Sequence, residues 1–501
     1  MSERSCEYET VFRTAGGLVR GKEADAGDVV AVLGIPYAAP PFGDRRFEEP
    51  HPAAAWDGVR DGTAFGPVAP QSAELPGAPG WRPGDEDILT VNVWTPGRSE
   101  GDALPVLFWI HGGANTFGSS AQPDFDGAAL ARAGLVVVSC NFRVGFEGYG
   151  HVPGRPHNRG LLDQVAALRW VRENIAAFGG DPANVTLAGH SSGGAAVVCL
   201  MAMERTRGLF RRAVAHSVPH VLYSPRLAAA VTGRIAKEAG VSPTAEGLLS
   251  VAPEELVAAS DGAAARCAAD PVTPLHSYAP VIFQPVVDGE VLPADPLTAL
   301  ASGAARDVDL LVCHAVEEQW FLHMVGAVRE VATEAALAEF AEALGLPARL
   351  VGGYTGLMPH APVLDRYLAL FGDAQFGEYT TRLAEHHARG GGRAHLARFA
   401  RRRGAARPWH TADVPFAFGN LDAPGADFLI GGAPDGEDRA LSRRMLRAWA
   451  DFATDGDPGW PAVTATATPV RTWAVPTDLT TPDDLSPTRA LWRGVPYRPL
   501  P

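Results

Sequence analysis

The sequence predicts an α/β fold with a large, mostly parallel central sheet and helices on both faces. Short apolar runs alternate with longer helical patterns along the chain. Three of the runs are short, apolar and bounded by turn residues, as buried strands are: Leu104-Pro-Val-Leu-Phe-Trp-Ile, Leu135-Val-Val-Val-Ser and Val185-Thr-Leu-Ala. Alternation of strand, helix and strand favours a parallel sheet that is covered on both faces.

A helix is predicted between the second and third of these strands, from about residue 160 to residue 178. Its apolar residues recur three and four positions apart, which places them on one face: Leu161, Val165, Leu168, Val171, Ile175 and Phe178. The helix should end at Gly179-Gly-Asp-Pro, where glycine favours a C-cap and proline prevents continuation.

The stretch 333–396 is rich in helical patterns and lacks strand signals. It predicts a helix-rich lid or subdomain over the sheet. No internal repeat, linker-like tract or abrupt change of composition divides the chain. Residues 1–501 are therefore predicted to form a single domain.

Charge and composition exclude several classes of function. The 501 residues carry 43 basic and 57 acidic side chains, a formal net charge of −14. Such a charge repels phosphate backbones and anionic lipid, so nucleic acid is not an expected partner. No window is apolar and long enough to span a membrane. The composition, rich in Ala, Arg and Gly, is associated with GC-rich bacterial genomes.

Localisation is predicted from the first residues and from the cysteines. The segment Met1-Ser-Glu-Arg-Ser-Cys-Glu has no apolar core of the kind found in secretory signals. The cysteines are sparse, odd in number and without a C-x-x-C pair: Cys6, Cys140, Cys199, Cys267 and Cys313. This usage is typical of reduced thiols, so we expect a cytoplasmic protein.

The string Gly189-His-Ser-Ser-Gly-Gly lies between the predicted strand at 185–188 and a helical run that starts at Ala195. A Gly-x-Ser-x-Gly string is a weak signal alone, but this context makes it specific. A nucleophile elbow needs small flanking residues because the serine backbone is strained. We therefore predict Ser191 as a nucleophile; the alternative is a glycine-rich turn without chemistry.

A second glycine-rich segment stands where acyl transfer would require it. The predicted strand at 104–110 continues into His111-Gly-Gly-Ala-Asn-Thr-Phe-Gly. Backbone with few side chains lets N–H groups approach a substrate oxygen, which is half of an oxyanion hole. We predict that Gly113, Ala114 and Ser192 donate these N–H groups, with an ordinary glycine turn as the alternative.

At this point the sequence resembles the type-B carboxylesterases, an α/β-hydrolase family that includes bacterial para-nitrobenzyl esterases and the cholinesterases. The resemblance extends over about residues 15 to 460, and its motifs together are highly specific. Besides the elbow, the following segments resemble family signatures: Gly34-Ile-Pro-Tyr-Ala-Ala-Pro-Pro-Phe-Gly with Arg46-Phe47, Glu86-Asp-Ile-Leu-Thr-Val-Asn-Val-Trp-Thr-Pro, Asn141-Phe-Arg-Val-Gly, Asn158-Arg-Gly-Leu-Leu-Asp-Gln, Phe178-Gly-Gly-Asp-Pro and Trp449-Ala-Asp-Phe-Ala-Thr-Asp-Gly-Asp-Pro.

The resemblance implies a triad in the order Ser, Glu, His. The segment from Leu310 to Phe321 is similar to the family's strand and Asp-Glu-Gly motif, which implies Glu318 as the acid. The segment that starts at Trp409 resembles the family's His-Gly-x-Glu-x-Pro, which implies His410 as the base. Ser217 falls where the family has a serine near the acid.

These roles need no metal and no organic cofactor. His410 would take the proton from Ser191 and return it to the leaving alcohol, while Glu318 holds the imidazole. Water would then release the acyl group. The expected partner is a small-molecule ester, and the sequence leaves open whether the protein is a monomer or a dimer.

Several residues depart from the family pattern around the predicted nucleophile. The family usually has Glu and Ala where this chain has His190 and Ser192, and an aromatic residue where it has Asn115. Gln319 replaces a glycine and His216 a glutamine. The changes make this pocket more polar, which suggests a substrate with a polar or anionic acyl group. Drift in a tolerant pocket is an equal alternative.

Three aromatic residues flank the predicted acid and base, namely Trp320, Phe321 and Trp409. They are candidates for the lining of the substrate pocket, and equally for the core. Ester hydrolysis is the leading function. The alternatives are a biosynthetic acyl transferase, a cyclase, an amide or carbamate hydrolase of the same fold, or a non-catalytic binding module, which an intact triad argues against.

Overall fold

The strands form one large sheet and one small sheet. The computed structural model describes residues 10–24, 28–73, 78–96, 103–483 and 486–497. In this part of the chain, the strands are β1 (Val11–Thr14), β2 (Gly17–Arg20), β3 (Lys22–Glu23), β4 (Val30–Pro36), β5 (Val59–Asp61), β6 (Thr90–Thr95), β7 (Leu104–Ile110), β8 (Val136–Cys140), β9 (Gly180–His190), β10 (Arg212–His216), β11 (Asp309–Ala315), β12 (Ala394–Phe399), β13 (Pro469–Trp473) and β14 (Leu479–Pro482).

Helices connect and cover these strands. They are α1 (Ala128–Arg132), α2 (Gly145–Tyr149), α3 (Arg159–Asn174), α4 (Ser192–Met201), α5 (Pro225–Glu238), α6 (Ala245–Leu249), α7 (Pro253–Cys267), α8 (Pro296–Ala301), α9 (Glu318–Met324), α10 (Glu334–Ala343), α11 (Ala348–Leu357), α12 (Val363–Gly372), α13 (Glu378–Arg389), α14 (Val414–Phe418), α15 (Ala426–Ile430), α16 (Gly436–Asp455) and α17 (Pro487–Trp492). A π-helical turn, Asp373–Gly377, joins α12 to α13. None of the described helices has the length and apolar character that crossing a lipid bilayer demands.

The large sheet has the strand order β14-β13-β12-β11-β10-β9-β7-β8-β6-β4-β3. The strands from β13 to β8 are parallel to their neighbours, while β14 and the edge formed by β6, β4 and β3 pair antiparallel. The carboxyl ends of β9, β10 and β11 lie side by side, with His216 paired to both His190 and Cys313. Residues that follow these strands therefore meet at one edge of the sheet.

The core lies on both faces of this sheet, because the side chains of each strand alternate between them. In β7, Phe108 packs in the layer that holds the apolar face of α3, and Trp109 packs in the opposite layer against Trp449 of α16. This confirms the predicted α/β architecture. The helix predicted at 160–178 is α3 followed by a 3-10 turn, and Gly179 ends it at φ +79°.

The region predicted as helix-rich, 333–396, needs a correction at its end. Its residues up to 389 are helical apart from short connections, in α10 to α13. Ala394–Phe399, however, is a strand inside the large sheet, between β11 and β13. The strand was missed because His395 and Arg398 interrupt its apolar pattern. Moreover, α13 packs on β11 and β12, so it covers the sheet directly.

The cysteines and the arginines near residue 400 have clear environments. Cys6 lies outside the described residues, and Cys140, Cys199, Cys267 and Cys313 are buried and unpaired. Arg401 is 1% exposed and pairs with Asp438, whereas a cluster of arginines is usually solvated. Arg402 and Arg407 both pair with Glu317.

Candidate active site

Ser191 occupies a sharp turn between β9 and α4. Its backbone has φ 56° and ψ −127°, a conformation that residues other than glycine rarely adopt. The glycines around it allow this turn. A Cβ on Gly193 would lie 2.2 Å from the carbonyl oxygen of Ile110, and one on Gly189 would lie 2.5 Å from that of Gly193. The sequence Gly-x-Ser-x-Gly therefore folds into the strained elbow that its pattern predicts.

The imidazole of His410 bridges Ser191 and Glu318. Its Nε2 lies 2.9 Å from the Oγ of Ser191, and its Nδ1 lies 2.6 Å from Oε2 of Glu318. A proton on Nδ1 donates to the carboxylate, so that Nε2 is free to accept a proton from the serine hydroxyl. The imidazole is 4% exposed, which protects both bonds from water.

Glu318 begins helix α9 at the end of β11, and its carboxylate is held on both oxygens. Oε1 accepts hydrogen bonds from the Oγ of Ser217 at 2.7 Å and from the backbone N–H of Ala315 at 2.8 Å. Oε2 accepts the bond from His410. The carboxylate is thus fixed in one orientation at 2% exposure. Ser217, which follows β10, lies against the acid as the resemblance implied.

The glycine loop after β7 approaches the elbow closely. A Cβ on Gly112 would stand 3.2 Å from the Cβ of Ser191, so only a glycine fits without displacement. The next three residues have positive φ, namely Gly113 (113°), Ala114 (53°) and Asn115 (57°). In the described part of the chain, the N–H groups of Gly113 and Ala114 have no hydrogen-bond acceptor. Ser192 begins α4, where N–H groups lack acceptors within the helix.

His190 lies beside His410, with their ring centroids 4.6 Å apart. It is 4% exposed. Burial, together with the nearby His410, lowers the pKa of His190 well below 6.5, so its ring is neutral. Its Nε2 has no hydrogen-bond partner among the described residues. A neutral imidazole thus stands next to the predicted nucleophile and base.

The other predicted pocket residues divide into three groups. Asn115 is buried, and its amide donates to the carbonyl oxygen of Phe283 at 3.2 Å. Trp320, Phe321 and Trp409 are half-buried, and Phe321 lies 5.9 Å from Trp409 between ring centroids. His216 differs, because its ring binds Asp413 and packs against Trp449 of α16.

Two neighbours of the site were not singled out from the sequence. The ring of Phe376 lies 4.7 Å from that of His410, on the π-helical turn Asp373–Gly377. No sequence signal marks this residue. Asp413 binds His216, with 2.6 Å between Oδ2 and Nδ1. It stands three residues after His410, at the position of Glu in the family's His-Gly-x-Glu-x-Pro motif. The motif could therefore have identified Asp413 from the sequence.

One group of side chains has the donor types that bind a metal. Ligand atoms of His216, Cys313 and Asp413 lie within 4.8 Å of one another. However, His216 Nδ1 already bonds Asp413, and burial raises the pKa of the Cys313 thiol well above 9, which keeps it protonated. We therefore treat His216 and Asp413 as a hydrogen-bonded pair with the protonated thiol of Cys313 beside it.

Comparisons with known proteins show the family to which the chain belongs. A model of the carboxylesterase family matches residues 8–472. The chain is 34% identical to the para-nitrobenzyl esterase of Bacillus subtilis over 86% of its own length and 88% of the relative. It is 33% identical to the fumonisin B1 esterase of Sphingopyxis macrogoltabida, over 89% and 82%. The crystal structure of a Geobacillus stearothermophilus carboxylesterase superposes with a TM-score of 0.83 at 34% identity, covering 97% of this chain and 100% of that one.

Proposed function

This chain belongs to the carboxylesterase family and is a serine hydrolase of carboxylic esters, and from that premise we propose that Ser191, His410 and Glu318 are its catalytic triad. One observation carries the assignment: the continuous line of contacts from Ser191 Oγ through both nitrogens of His410 to the Glu318 carboxylate. In this assignment Ser191 is the nucleophile, His410 the general base and Glu318 the group that orients the base.

Acylation follows from this geometry. As the Oγ of Ser191 attacks the ester carbonyl, His410 Nε2 takes the hydroxyl proton, and the bond from Nδ1 to Glu318 stabilises the resulting imidazolium. The carbonyl oxygen then bears a negative charge. We assign its stabilisation to the N–H groups of Gly113, Ala114 and Ser192. When the tetrahedral intermediate collapses, His410 returns the proton to the leaving alcohol.

Deacylation repeats these steps with water. His410 removes a proton from water, whose oxygen attacks the acyl carbon, and the same N–H groups hold the charge on the oxygen. Collapse breaks the bond to Ser191 and returns the proton to its Oγ. The products are a carboxylic acid and the free enzyme, so no redox partner is needed.

A fluorophosphonate probe tests the assignment directly, because it phosphonylates only an activated serine. We expect one adduct per chain, and mass spectrometry of the digested protein should locate it on Ser191. Prior treatment with an excess of a para-nitrophenyl ester should slow the labelling. An adduct on a different serine, or the absence of an adduct from an enzyme that turns over esters, would contradict the assignment.

The polar groups near the nucleophile support a substrate with a polar or anionic acyl chain. Asn115 and Gln284 bring amide groups together at 3.4 Å, and the neutral His190 adds no negative charge. Nε2 of His190 has no hydrogen-bond partner in the described part of the chain, and an apolar acyl group would leave it unpaired, which costs binding free energy. We propose Asn115 and His190 as determinants of acyl specificity, and we include the aromatic residues Trp320, Phe321 and Trp409 in the pocket.

A pair of esters of equal length measures this preference. We expect kcat/KM for the para-nitrophenyl monoester of succinic acid to exceed that for para-nitrophenyl valerate by about tenfold, since a site with polar groups discriminates against groups that leave them unpaired. The leaving group is the same in both. Replacing His190 with Glu should reverse the order through charge repulsion, and faster hydrolysis of the valerate by the wild type would refute the proposal.

Two broader features belong to the same proposal. We propose that residues 1–501 act as one catalytic domain, which is supported by a large sheet whose strands run from Lys22 to Pro482. We also propose that the enzyme works in the cytoplasm. The four described cysteines are unpaired, as expected of reduced thiols.

A further inference from the structure

We propose that His216 and Asp413 are positioning residues for ester hydrolysis. Their side chains form a buried pair that fixes the position of the turn at Ser191 relative to the loop that carries His410. The inference rests on the proposed triad. Neither residue contacts the hydroxyl of Ser191 or the imidazole of His410 through its side chain. Both act on the reacting groups through the backbone segments that carry them.

His216 supports the turn at Ser191 through its backbone. It ends β10, next to His190 at the end of β9, and its carbonyl oxygen accepts the backbone N–H of Ser191 at 2.9 Å. The same carbonyl oxygen closely faces the Cα of Gly194, where a Cβ would stand 2.7 Å away. The strained backbone of Ser191 thus rests on the last peptide of β10. A shift of His216 would move the nucleophile.

Asp413 anchors the loop of His410. Between them, Thr411 has φ 72°, a backbone conformation that needs support from its surroundings. The chain then enters α14 immediately after Asp413, and the N–H of Ala417 donates to its carbonyl oxygen. The side chain of Asp413 is completely buried, and its Oδ2 binds His216 at 2.6 Å. The pair therefore links the two segments whose approach sets the distance from Ser191 Oγ to His410 Nε2.

The burial of this pair argues for a specific role. Ionised groups in the interior cost free energy unless they are paired, and breaking such a pair costs more than exchanging it for apolar residues. Burial raises the pKa of Asp413, but His216 and its hydrogen bond outweigh this effect and hold the pKa below its ordinary value. Asp413 Oδ1 has no other partner in the described part of the chain. The carboxylate thus depends on His216.

The ring of His216 is fixed on its other side as well. Trp449 of α16 meets it edge to face, with 4.9 Å between the ring centroids. This contact restricts rotation of the imidazole toward a displaced Asp413. A rigid ring between strand and loop is the arrangement that a positioning pair requires.

Alanine variants at the two positions test the inference. We expect Asp413→Ala and His216→Ala each to lower kcat by about 10- to 100-fold with KM within twofold, because small displacements of reacting groups have effects of this size. The double variant should be no slower than the slower single variant, since either change alone breaks the link. His216→Gln, whose amide can still donate to Asp413, should keep kcat within about threefold.

Rates are expressed per active site, counted by phosphonate labelling, so that unfolded protein does not contribute. If an alanine variant fails to fold, kcat and KM of Asp413→Asn are compared with those of the wild type instead. This substitution keeps the shape of the side chain and removes its charge. Asp438→Asn is the matched control, because Asp438 of α16 is a carboxylate as deeply buried as Asp413, and it pairs with Arg401 and Arg403. It should lower the melting temperature but leave kcat within twofold.

Three outcomes would overturn the inference: variants that lose stability while kcat stays within twofold, losses that add in the double variant, or a His216→Gln variant as slow as His216→Ala. Failure of the triad proposal looks different. In that case the wild-type enzyme itself would not be labelled on Ser191. A labelled, active wild type with fast alanine variants would remove only the positioning role.

Discussion

Replacing Ser191 with alanine is expected to lower kcat for para-nitrophenyl acetate and butyrate by about 10⁶-fold, the usual cost of removing a triad nucleophile. The proposed reaction passes through an ester bond to Ser191 Oγ, and the variant has no atom to form it. His410 and the N–H groups of Gly113 and Ala114 would remain in place. A stopped-flow assay measures the rate of the wild type, and a long-time assay measures the much lower rate of Ser191→Ala.

Ser442→Ala is the control for this prediction. Ser442 is a buried serine whose hydroxyl donates to the carbonyl oxygen of Phe416 at 2.9 Å, and to no residue of the proposed triad. Its replacement removes one hydroxyl and one hydrogen bond, as Ser191→Ala does, and should leave kcat within about threefold. A Ser191→Ala variant that keeps more than about a hundredth of wild-type kcat would show that another group performs the attack.

Replacing Glu318 with glutamine is expected to reduce kcat by about 10⁴-fold, with little effect on folding. The amide keeps the size of the carboxylate, but it carries no charge to stabilise the imidazolium of His410. It can also donate to Nδ1, which would favour the tautomer with the proton on Nε2. That tautomer cannot accept a proton from Ser191. Single-turnover kinetics with para-nitrophenyl butyrate separate this loss from any change in binding.

The neighbouring Glu317 provides a matched control. Glu317→Gln alters an adjacent acid in the same turn, but its Oε1 pairs with Arg402 and Arg407 instead of His410. We expect its kcat to stay within about threefold of the wild type, because its carboxylate pairs with two arginines and makes no hydrogen bond to His410 or Ser191. The opposite result, with Glu317→Gln slow and Glu318→Gln fast, would mean that the acid had been assigned one residue out of register.

The elements closest to the nucleophile could be predicted because their signals are local. The strands β7 and β8 and the second half of β9 are apolar runs next to turn residues, and α3 has a helical period and a glycine end. The first half of β9, Gly180 to Asn184, was predicted as a turn. Gly189 and Gly193 mark a turn that no larger residue fits. Such features depend on residues within about ten positions of each other. They can therefore be predicted from short segments of the sequence.

Features that depend on contacts between residues far apart in the sequence could not be predicted from local patterns. The strand Ala394–Phe399 has charged residues in its pattern, and pairing with β11 and β13 makes it a strand. Arg401 is buried because Asp438, 37 residues away in the chain, pairs with it. His216 was assigned to the pocket as a substitution near the nucleophile. Its side chain instead points to the layer of Trp449, since alternation along β10 sets its direction.

The triad draws on segments that are far apart along the chain. His410 lies 219 residues from Ser191 and 92 from Glu318, and each residue is held at the end of a different strand or in the loop beyond one. Contacts with such large separation form only after much loop-closure entropy has been lost, so they are slow to appear during folding. On the proposed assignment, a nascent chain that ended before residue 410 would already contain the nucleophile and still be inert. Ester hydrolysis therefore reports that the polypeptide has completed its folding, which makes the activity itself a sensitive assay of refolding.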